Sequence, residues 1–255
     1  MPPTHKAFAR RCISGAVALP LIALASIALT SCGRVRVSTG PQITEDGEFA
    51  KCPSGASFDK RRTDKGTVQW CRTRAGIKNG PWQSYYPSGK KWLAGEYKRD
   101  KKHGVWTVWY KSGARKSFGS FDDGKAQGRW VSFYENGKRR AEGRFEKGKL
   151  HGKRTEFWPT GRARDESYFE HGKMHGKRTW WSLLGRKLVV GNYEQGKRSG
   201  RWIGYHPNGR VRIEGSFDNN QRTGVWVQYD KSGKLISRGV YDSGVLASGR
   251  PVDSL

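Results

Sequence analysis

Hydrophobic and polar positions repeat with a period of 24 residues along most of this chain. A glycine starts each unit at Gly80 and every 24 residues thereafter, and a second glycine follows nine residues later. Two aromatic columns, five and seventeen residues after the first glycine, are Tyr85, Trp109, Phe133, Phe157, Trp181, Tyr205 and Tyr229, and Tyr97, Phe121, Phe145, Phe169, Tyr193, Phe217 and Tyr241. Seven units without an exception indicate a repeat protein, in which each unit buries its apolar side chains by stacking on its neighbours.

Each unit is predicted to be a β-hairpin. Apolar and polar residues alternate over short segments, and Asn-Gly or Ser-Gly pairs supply the positive φ that a tight turn requires. Helical spacing of apolar residues is missing after the N-terminal segment, so no helix is predicted there. The predicted fold is all-β: an elongated, twisted antiparallel sheet of tandem 24-residue hairpins over residues 80–247.

The alternation also assigns side chains to the two faces of the sheet. Ile203 stands two places before the core ring Tyr205 and is predicted on its face, together with Ile213, Gly215 and Phe217 of the second strand. The tryptophan two places after each starting glycine is predicted on the opposite face. There an exposed aromatic stripe would consist of Trp82, Trp106, Trp130, Trp202 and Trp226. The alternative is that the preceding glycine bends the strand and places the indoles in the core.

The motif G-x-W-x-x-[YFW]-x-x-[SN]-G-[KR], followed by G-x-[YF]-x-x-G, resembles the MORN-repeat variant common in bacteria. The resemblance covers residues 80–245 and implies an elongated antiparallel β rod. In that family some bacterial members are labelled antitoxins, and eukaryotic relatives are scaffolds often associated with membranes. A repeat of this kind specifies a fold far more strongly than a function.

The N-terminus has the order of an export signal. Residues 1–31 begin with basic side chains and no acid, continue with an apolar stretch from Ile13 to Leu29, and end with small residues before Cys32. An uncleaved membrane anchor is the alternative. We expect cleavage before Cys32, with residues 32–51 forming a flexible tether.

Leu-Thr-Ser-Cys at the end of the apolar stretch resembles the lipobox of bacterial lipoproteins. The resemblance implies that Cys32 carries a diacylglycerol and that its new amino group is acylated. Two or three acyl chains give firm membrane anchoring. The residue after Cys32 is Gly33 and not Asp. By resemblance to the lipoproteins of diderm bacteria, this favours transport to the outer membrane.

Two further cysteines, Cys52 and Cys71, lie within residues 52–79, which are predicted to be an N-terminal cap with a degenerate half-repeat. Export implies an oxidising compartment, so these two thiols are predicted to form a disulfide. The recurrent histidines would stand one unit apart, about 10 Å, too far to share a metal ion. No metal or cofactor is therefore expected, and residues 248–255 are assigned as a C-terminal tail.

Charge narrows the range of partners. The chain has 49 Lys and Arg against 22 Asp and Glu, for a net charge of +27, which draws a protein to polyanions. Units four and five replace the tryptophan by Arg154 and Arg178, next to Lys153 and Lys177. These four side chains are a candidate anion-binding site, because guanidinium groups can hold phosphate or carboxylate through paired hydrogen bonds. The alternative is a recent duplication with solvated basic residues.

These observations predict a non-enzymatic binding or scaffolding lipoprotein of the cell envelope, attached to the membrane by its N-terminal lipid. The predicted partners are anionic polymers or proteins of the envelope. The alternative function is an antitoxin-like neutraliser of a toxin protein. Nucleic acid is an unlikely partner because of the export signal, whereas the open edges of the sheet could pair with a second copy.

Overall fold

A computed structural model describes Phe49 and residues 51–255. The predictions for the signal peptide, for Cys32 and for most of the tether lie outside these residues. Within the described part, the strands form one open sheet in which every pairing is antiparallel. The predicted all-β repeat fold is therefore confirmed. No helix in the described part is long and apolar enough to cross a membrane.

The strands follow one another in a simple meander. They are β1 (Ala56–Thr63), β2 (Gly66–Thr73), β3 (Lys78–Tyr85), β4 (Lys91–Lys98), β5 (Lys101–Trp109), β6 (Arg115–Asp122), β7 (Lys125–Phe133), β8 (Arg139–Glu146), β9 (Lys149–Phe157), β10 (Ala163–Glu170), β11 (Lys173–Met174), β12 (Gly176–Trp181), β13 (Lys187–Glu194), β14 (Lys197–Tyr205), β15 (Val211–Asp218), β16 (Gln221–Tyr229), β17 (Leu235–Asp242) and β18 (Val245–Gly249). Each pairs with its neighbours in sequence, except that the short strands β11 and β12 both pair with β10. The sheet therefore grows by one hairpin per repeat.

Two kinds of turn join the strands. Within-unit turns connect the two strands of a repeat, as at His206, whose amide donates to the Arg210 carbonyl at 2.8 Å. Between-unit turns are tighter: Lys147 and Gly148 join β8 to β9 with φ angles of 49° and 85°. Two successive positive φ angles match the right-handed twist of the flanking strands.

The register across each hairpin places the tryptophan column on the same face as the second aromatic column. In unit six Trp202 pairs with Gly215, and Gly200 pairs with Phe217, while Ile203 pairs with Glu214. Directly paired residues of an antiparallel sheet project from the same face. The predicted grouping of Ile203 with Gly215 and Phe217 is therefore wrong, because alternation along one strand does not specify the register with the next.

We call the face that carries the tryptophans the Trp face. The second face carries the column of Ile203 and its equivalents, and several of these residues are buried: Gln83, Thr107, Val131, Thr155 and Thr179. Both faces of the twisted sheet therefore hold partly buried side chains.

Both ends of the sheet are held in place. A disulfide joins Cys52 to Cys71 of β2, as predicted, and Phe49 packs edge-to-face on Phe58 with ring centroids 4.9 Å apart. At the other end Val252 is only 6% exposed and packs in a buried hydrophobic cluster that also contains Trp226. The C-terminal tail thus closes the last units.

Candidate binding surfaces

The tryptophan column lies in the interior of the Trp face. Trp106, Trp202 and Trp226 are 2%, 3% and 0% exposed, and Trp82 and Trp130 are half-buried. The hypothesis of an exposed aromatic stripe is therefore wrong, and the alternative of core indoles is correct. The column cannot serve as an open stacking platform.

Close packing on glycine explains this burial. Trp202 lies across Gly191, and Trp226 lies across Gly215, so that a methyl group on either glycine would overlap the indole. Each indole N–H also finds a backbone acceptor: Trp226 Nε1 donates to the Ser216 carbonyl at 3.0 Å. The same hydrogen bond recurs in Trp106, Trp130 and Trp202, with lengths of 3.1, 3.2 and 3.1 Å. A tryptophan is well buried where its N–H has a partner.

Arg178 takes the place of a tryptophan in unit five but is engaged inside the protein. Its Nε and Nη2 both lie 2.8 Å from the Oδ2 of Asp165, whose side chain is 5% exposed. Its guanidinium carbon lies 3.9 Å from the ring centroid of Trp180, and Nη1 donates to the Tyr193 hydroxyl at 3.3 Å. The guanidinium is neutralised and stacked, so it is not available to an external anion.

The other candidate anion ligands are divided between the two faces. Arg154, on the Trp face, pairs with Glu156, which also binds Arg164. Burial of Glu156 opposes its ionisation, but the hydrogen bonds from the two arginines outweigh burial and lower its pKa.

Lys153 lies on the second face, where its Nζ is 2.5 Å from Glu166, and that hydrogen bond raises the pKa of Lys153. Lys177 occupies the equivalent, exposed position of unit five. The structure therefore contradicts the hypothesis of one anion site built from Lys153, Arg154, Lys177 and Arg178, because adjacent residues of a strand project to opposite faces and three of the four are internally paired.

A different concentration of charge lies along the within-unit turns. The six residues that span each of these turns, 87–92 and their equivalents in the other six units, contain 16 Lys or Arg and a single acid, Glu135. The basic residues are Lys90, Lys91, Lys111, Arg115, Lys116, Lys138, Arg139, Arg140, Arg162, Arg164, Arg186, Lys187, Arg210, Arg212, Lys231 and Lys234, and all except Lys91 and Arg212 are exposed. We call this row of turns the basic turn edge.

The between-unit turns have a far more balanced charge. Residues 98–103 and their six equivalents contain 11 Lys or Arg and eight acids. Several of these groups pair with one another, as Lys101 does with Asp123 at 2.7 Å and His103 with Asp122 at 3.6 Å. The positive charge of the sheet is therefore asymmetric, a feature that counting residues by turn would have revealed in the sequence.

Side-chain hydrogen bonds align the turns of the basic edge. Tyr110 and Tyr134 donate their hydroxyls to the carbonyls of Phe133 and Phe157 in the following unit, both at 2.7 Å. Lys138 Nζ donates to the Thr160 carbonyl of the next turn at 2.9 Å. An ammonium group that donates to a neutral carbonyl keeps its charge. The edge is therefore an ordered row of cations that advances by about 10 Å per unit.

No group of three or more His, Cys, Asp or Glu side chains among the described residues is arranged to hold a metal ion. Two of the recurrent histidines lie near an acid of their own between-unit turn, with His175 Nδ1 3.7 Å from Glu170 and His151 Nδ1 3.9 Å from Glu146, and His103 lies near Asp122 of the next between-unit turn. Each of these histidines therefore lies beside a single carboxylate at a turn.

Comparison with known families agrees with this architecture. Residues 78–99, 126–147, 198–219 and 222–243 each match the family model described as MORN repeat variant. No curated protein is significantly similar to the chain. Each matched segment spans all or nearly all of one strand, the within-unit turn after it and the strand that follows. Four of the hairpin units, which recur every 24 residues, are thus similar to MORN repeats, and such repeats suggest a binding or scaffold protein.

Proposed function

We propose that this protein is a non-enzymatic scaffold of the cell envelope whose basic turn edge binds an anionic envelope polymer. The observation that carries the proposal is the asymmetry of charge, 16 basic residues against one acid on one row of turns and 11 against eight on the other. A polymer with regularly spaced negative groups can contact many units of such an edge at once. The affinity then comes from many weak contacts in register.

The geometry favours a linear ligand. Hydrogen bonds between consecutive turns fix the spacing of the cations, as between Tyr134 and Phe157. Because the spacing is fixed, the edge itself loses little conformational entropy when a polymer binds along it. A compact anion would contact one or two units and gain little from the other five.

The experiment compares two variants with the same change in charge. The edge variant replaces Lys111, Arg140, Lys187 and Lys231 by Gln, and the control variant replaces Lys98, Lys125, Lys149 and Lys173 of the between-unit turns by Gln. All eight are exposed. The probe is purified lipopolysaccharide, with an anionic cell-wall glycan as a second probe, at physiological salt.

We expect the edge variant to bind at least tenfold more weakly, or about 1.4 kcal/mol, and the control variant to change by less than threefold. The edge variant should also show a weaker dependence of affinity on salt, because it releases fewer counterions. Equal losses in the two variants would mean that charge acts diffusely and that the edge is not a binding surface.

Anchoring through Cys32 is part of the same proposal. It is supported by the basic, apolar and small-residue order of residues 1–31 and by Leu-Thr-Ser-Cys at their end. We expect Cys32→Ser to abolish incorporation of labelled palmitate and to block the normal cleavage, with Cys12→Ser as the control that leaves both unchanged. Palmitate incorporation into the Cys32→Ser protein would overturn the assignment.

A further inference from the structure

The C-terminal tail shows how the Trp face accepts an extended segment of polypeptide. Val252 is buried with Trp226 and Tyr241, and Leu255 packs against the same cluster. Arg222 Nη1 donates to the Val252 carbonyl at 2.7 Å, and Ser237 donates to the Pro251 carbonyl at 2.8 Å. The tail is therefore held by apolar side chains below it and by donors to its backbone.

An acidic group completes the contact. The Asp253 carboxylate accepts from Gln228 Nε2 at 2.7 Å, and the Asp253 amide donates to Gln228 Oε1 at 3.2 Å. The segment that docks on units six and seven thus has an apolar residue, an acid and a second apolar residue in the order Val252, Asp253, Leu255.

The same surface recurs 96 residues earlier, where no other segment of the described part of the chain covers it. Four repeats before Trp226, Gly239, Tyr241 and Leu246 stand the equivalent residues Trp130, Gly143, Phe145 and Leu150. All four of these earlier residues line an open groove of about 340 Å³, together with Ser117, Ser132, Ala141 and Arg154 among others. We call it the unit-three groove.

The groove exists because unit four lacks its tryptophan. At Gly95, Gly119, Gly191 and Gly215 an indole covers the inner glycine, as Trp130 covers Gly119. At Gly143 the side chain from the next strand is Arg154, and the nearest atoms to an added methyl group would be Leu150 Cδ2 at 3.3 Å and Arg154 Cγ at 3.4 Å. Small residues, Ser132 and Ala141, pair with each other across the floor and leave the space beside Trp130 open.

We propose that the unit-three groove binds an extended segment of a partner protein in which apolar side chains flank an acidic residue. The C-terminal tail is an example of such a segment, and the groove contains the equivalents of the apolar residues that the tail contacts. Lys116 and Arg140, two exposed residues of the basic turn edge, directly precede the lining residues Ser117 and Ala141 in sequence, so positive charge lies next to the groove. The one acid of the lining, Glu142, is paired with Arg129 at 2.8 Å and Arg139 at 3.0 Å, so it does not oppose an acidic segment.

The groove repeats the apolar contacts of the tail but not its polar ones. The polar side chains that hold the tail on units six and seven, Arg222, Gln228 and Ser237, are replaced four repeats earlier by Ala126, Ser132 and Ala141. A tail would also have to leave its own site, where it is bound within the same chain. The groove adjoins the basic turn edge, but the proposal does not depend on the polymer proposed above.

The test uses the whole chain and a fluorescent peptide, Gly-Glu-Pro-Val-Asp-Ser-Leu, which has the sequence of the tail with an acid at the position of Arg250. Arg154→Trp restores the missing indole over Gly143 and should fill the groove while keeping the fold. Arg154→Gln removes the same charge without filling the space. Ala141→Met, which narrows the floor and leaves Arg154 unchanged, is an independent second variant.

We expect saturable binding by the wild-type chain, at least tenfold weaker binding by Arg154→Trp and Ala141→Met, and a change of less than threefold in Arg154→Gln. Hydrogen exchange should show protection by the peptide in β7, β8 and β9. The proposal would be overturned if the wild-type chain showed no saturable binding, or if Arg154→Trp and Ala141→Met bound the peptide as tightly as the wild type. It would also be overturned if Arg154→Gln lost as much affinity as Arg154→Trp, or if the peptide protected β15–β17 by displacing the tail.

Discussion

At the scale of single residues, the packing of a unit depends on an indole against a bare Cα. Trp226 lies so close to Gly215 that there is no room for a methyl group, and its N–H is satisfied by the Ser216 carbonyl. Glycine in a strand normally costs stability through entropy. Here that cost is offset by the burial of a large ring, so the two residues act as a pair.

The pair predicts opposite effects of the same substitution at two glycines. Gly215→Ala should lower the free energy of unfolding by about 1–3 kcal/mol, because the methyl group overlaps the Trp226 ring. Gly143→Ala should be neutral or stabilising by up to about 1 kcal/mol, because only flexible side chains lie near the added atom. Urea denaturation followed by tryptophan fluorescence measures both. A larger decrease in the free energy of unfolding for Gly143→Ala than for Gly215→Ala would contradict the packing argument.

Glu156 gives a pH dependence of stability. Its pKa is lowered in the folded protein because the hydrogen bonds from Arg164 and Arg154 outweigh its burial. A lowered folded pKa stabilises the protein above the unfolded value, about 4.3, and that stabilisation is lost as the pH falls through the folded pKa. Glu156→Gln should therefore unfold at lower urea than the wild type at pH 7, and the difference should shrink below pH 4. A constant difference over this range would exclude the ion pairs as its cause.

At the scale of elements, the within-unit turns are joined into a ladder. The side chain six residues after each starting glycine donates to the next unit in four successive cases: Tyr86, Tyr110, Tyr134 and Trp158. His206 is bonded to the Tyr229 carbonyl in the same way at 2.8 Å. In unit five the position is Ser182, whose short side chain instead accepts from the Arg186 amide at 3.2 Å.

The ladder predicts one destabilising and one stabilising change. Tyr134→Phe should cost about 0.5–1.5 kcal/mol, because it removes the donor to the Phe157 carbonyl. Ser182→Tyr should add the missing rung to the Tyr205 carbonyl and raise the thermal midpoint, with Ser182→Phe as the control that adds the ring without the hydroxyl. Equal midpoints for the Tyr and Phe variants at position 182 would show that the hydroxyl contributes nothing.

At the scale of the described part as a whole, the sheet is a linear array. Strands pair only with strands near them in sequence, so stability is approximately a sum of unit and interface contributions. The two ends are closed by local devices, the Cys52–Cys71 disulfide and the docked tail. Units in the middle depend on their neighbours alone.

This arrangement predicts that a destabilising substitution weakens mainly the strands next to it. Trp106→Ala should cost about 3–5 kcal/mol and weaken hydrogen-exchange protection mainly in β4, β5 and β6, because Trp106 is fully buried between them. Trp226→Ala should give the mirror pattern in β15, β16 and β17. Uniform loosening of all strands by either variant would reject the linear-array picture.

The sequence by itself determined the repeat, the hairpins and the disulfide. These follow from local properties: alternation within a strand, positive φ at Gly148 and its equivalents, and the pairing of two thiols. The charge of each turn is local as well, so the basic turn edge could have been found by grouping residues by turn.

Only the tertiary structure decided which side chains meet. Whether Trp202 points inward depends on its register with Gly215, which a one-residue shift between Gly204 and Tyr205 helps to set. Arg178 is neutralised by Asp165, thirteen residues away and on another strand, and the tail reaches back to Arg222 over thirty residues. Such contacts join residues that are distant in sequence, and the local sequence around one residue does not specify its partner. The free energy that selects these contacts comes from burial and from pairing across strands.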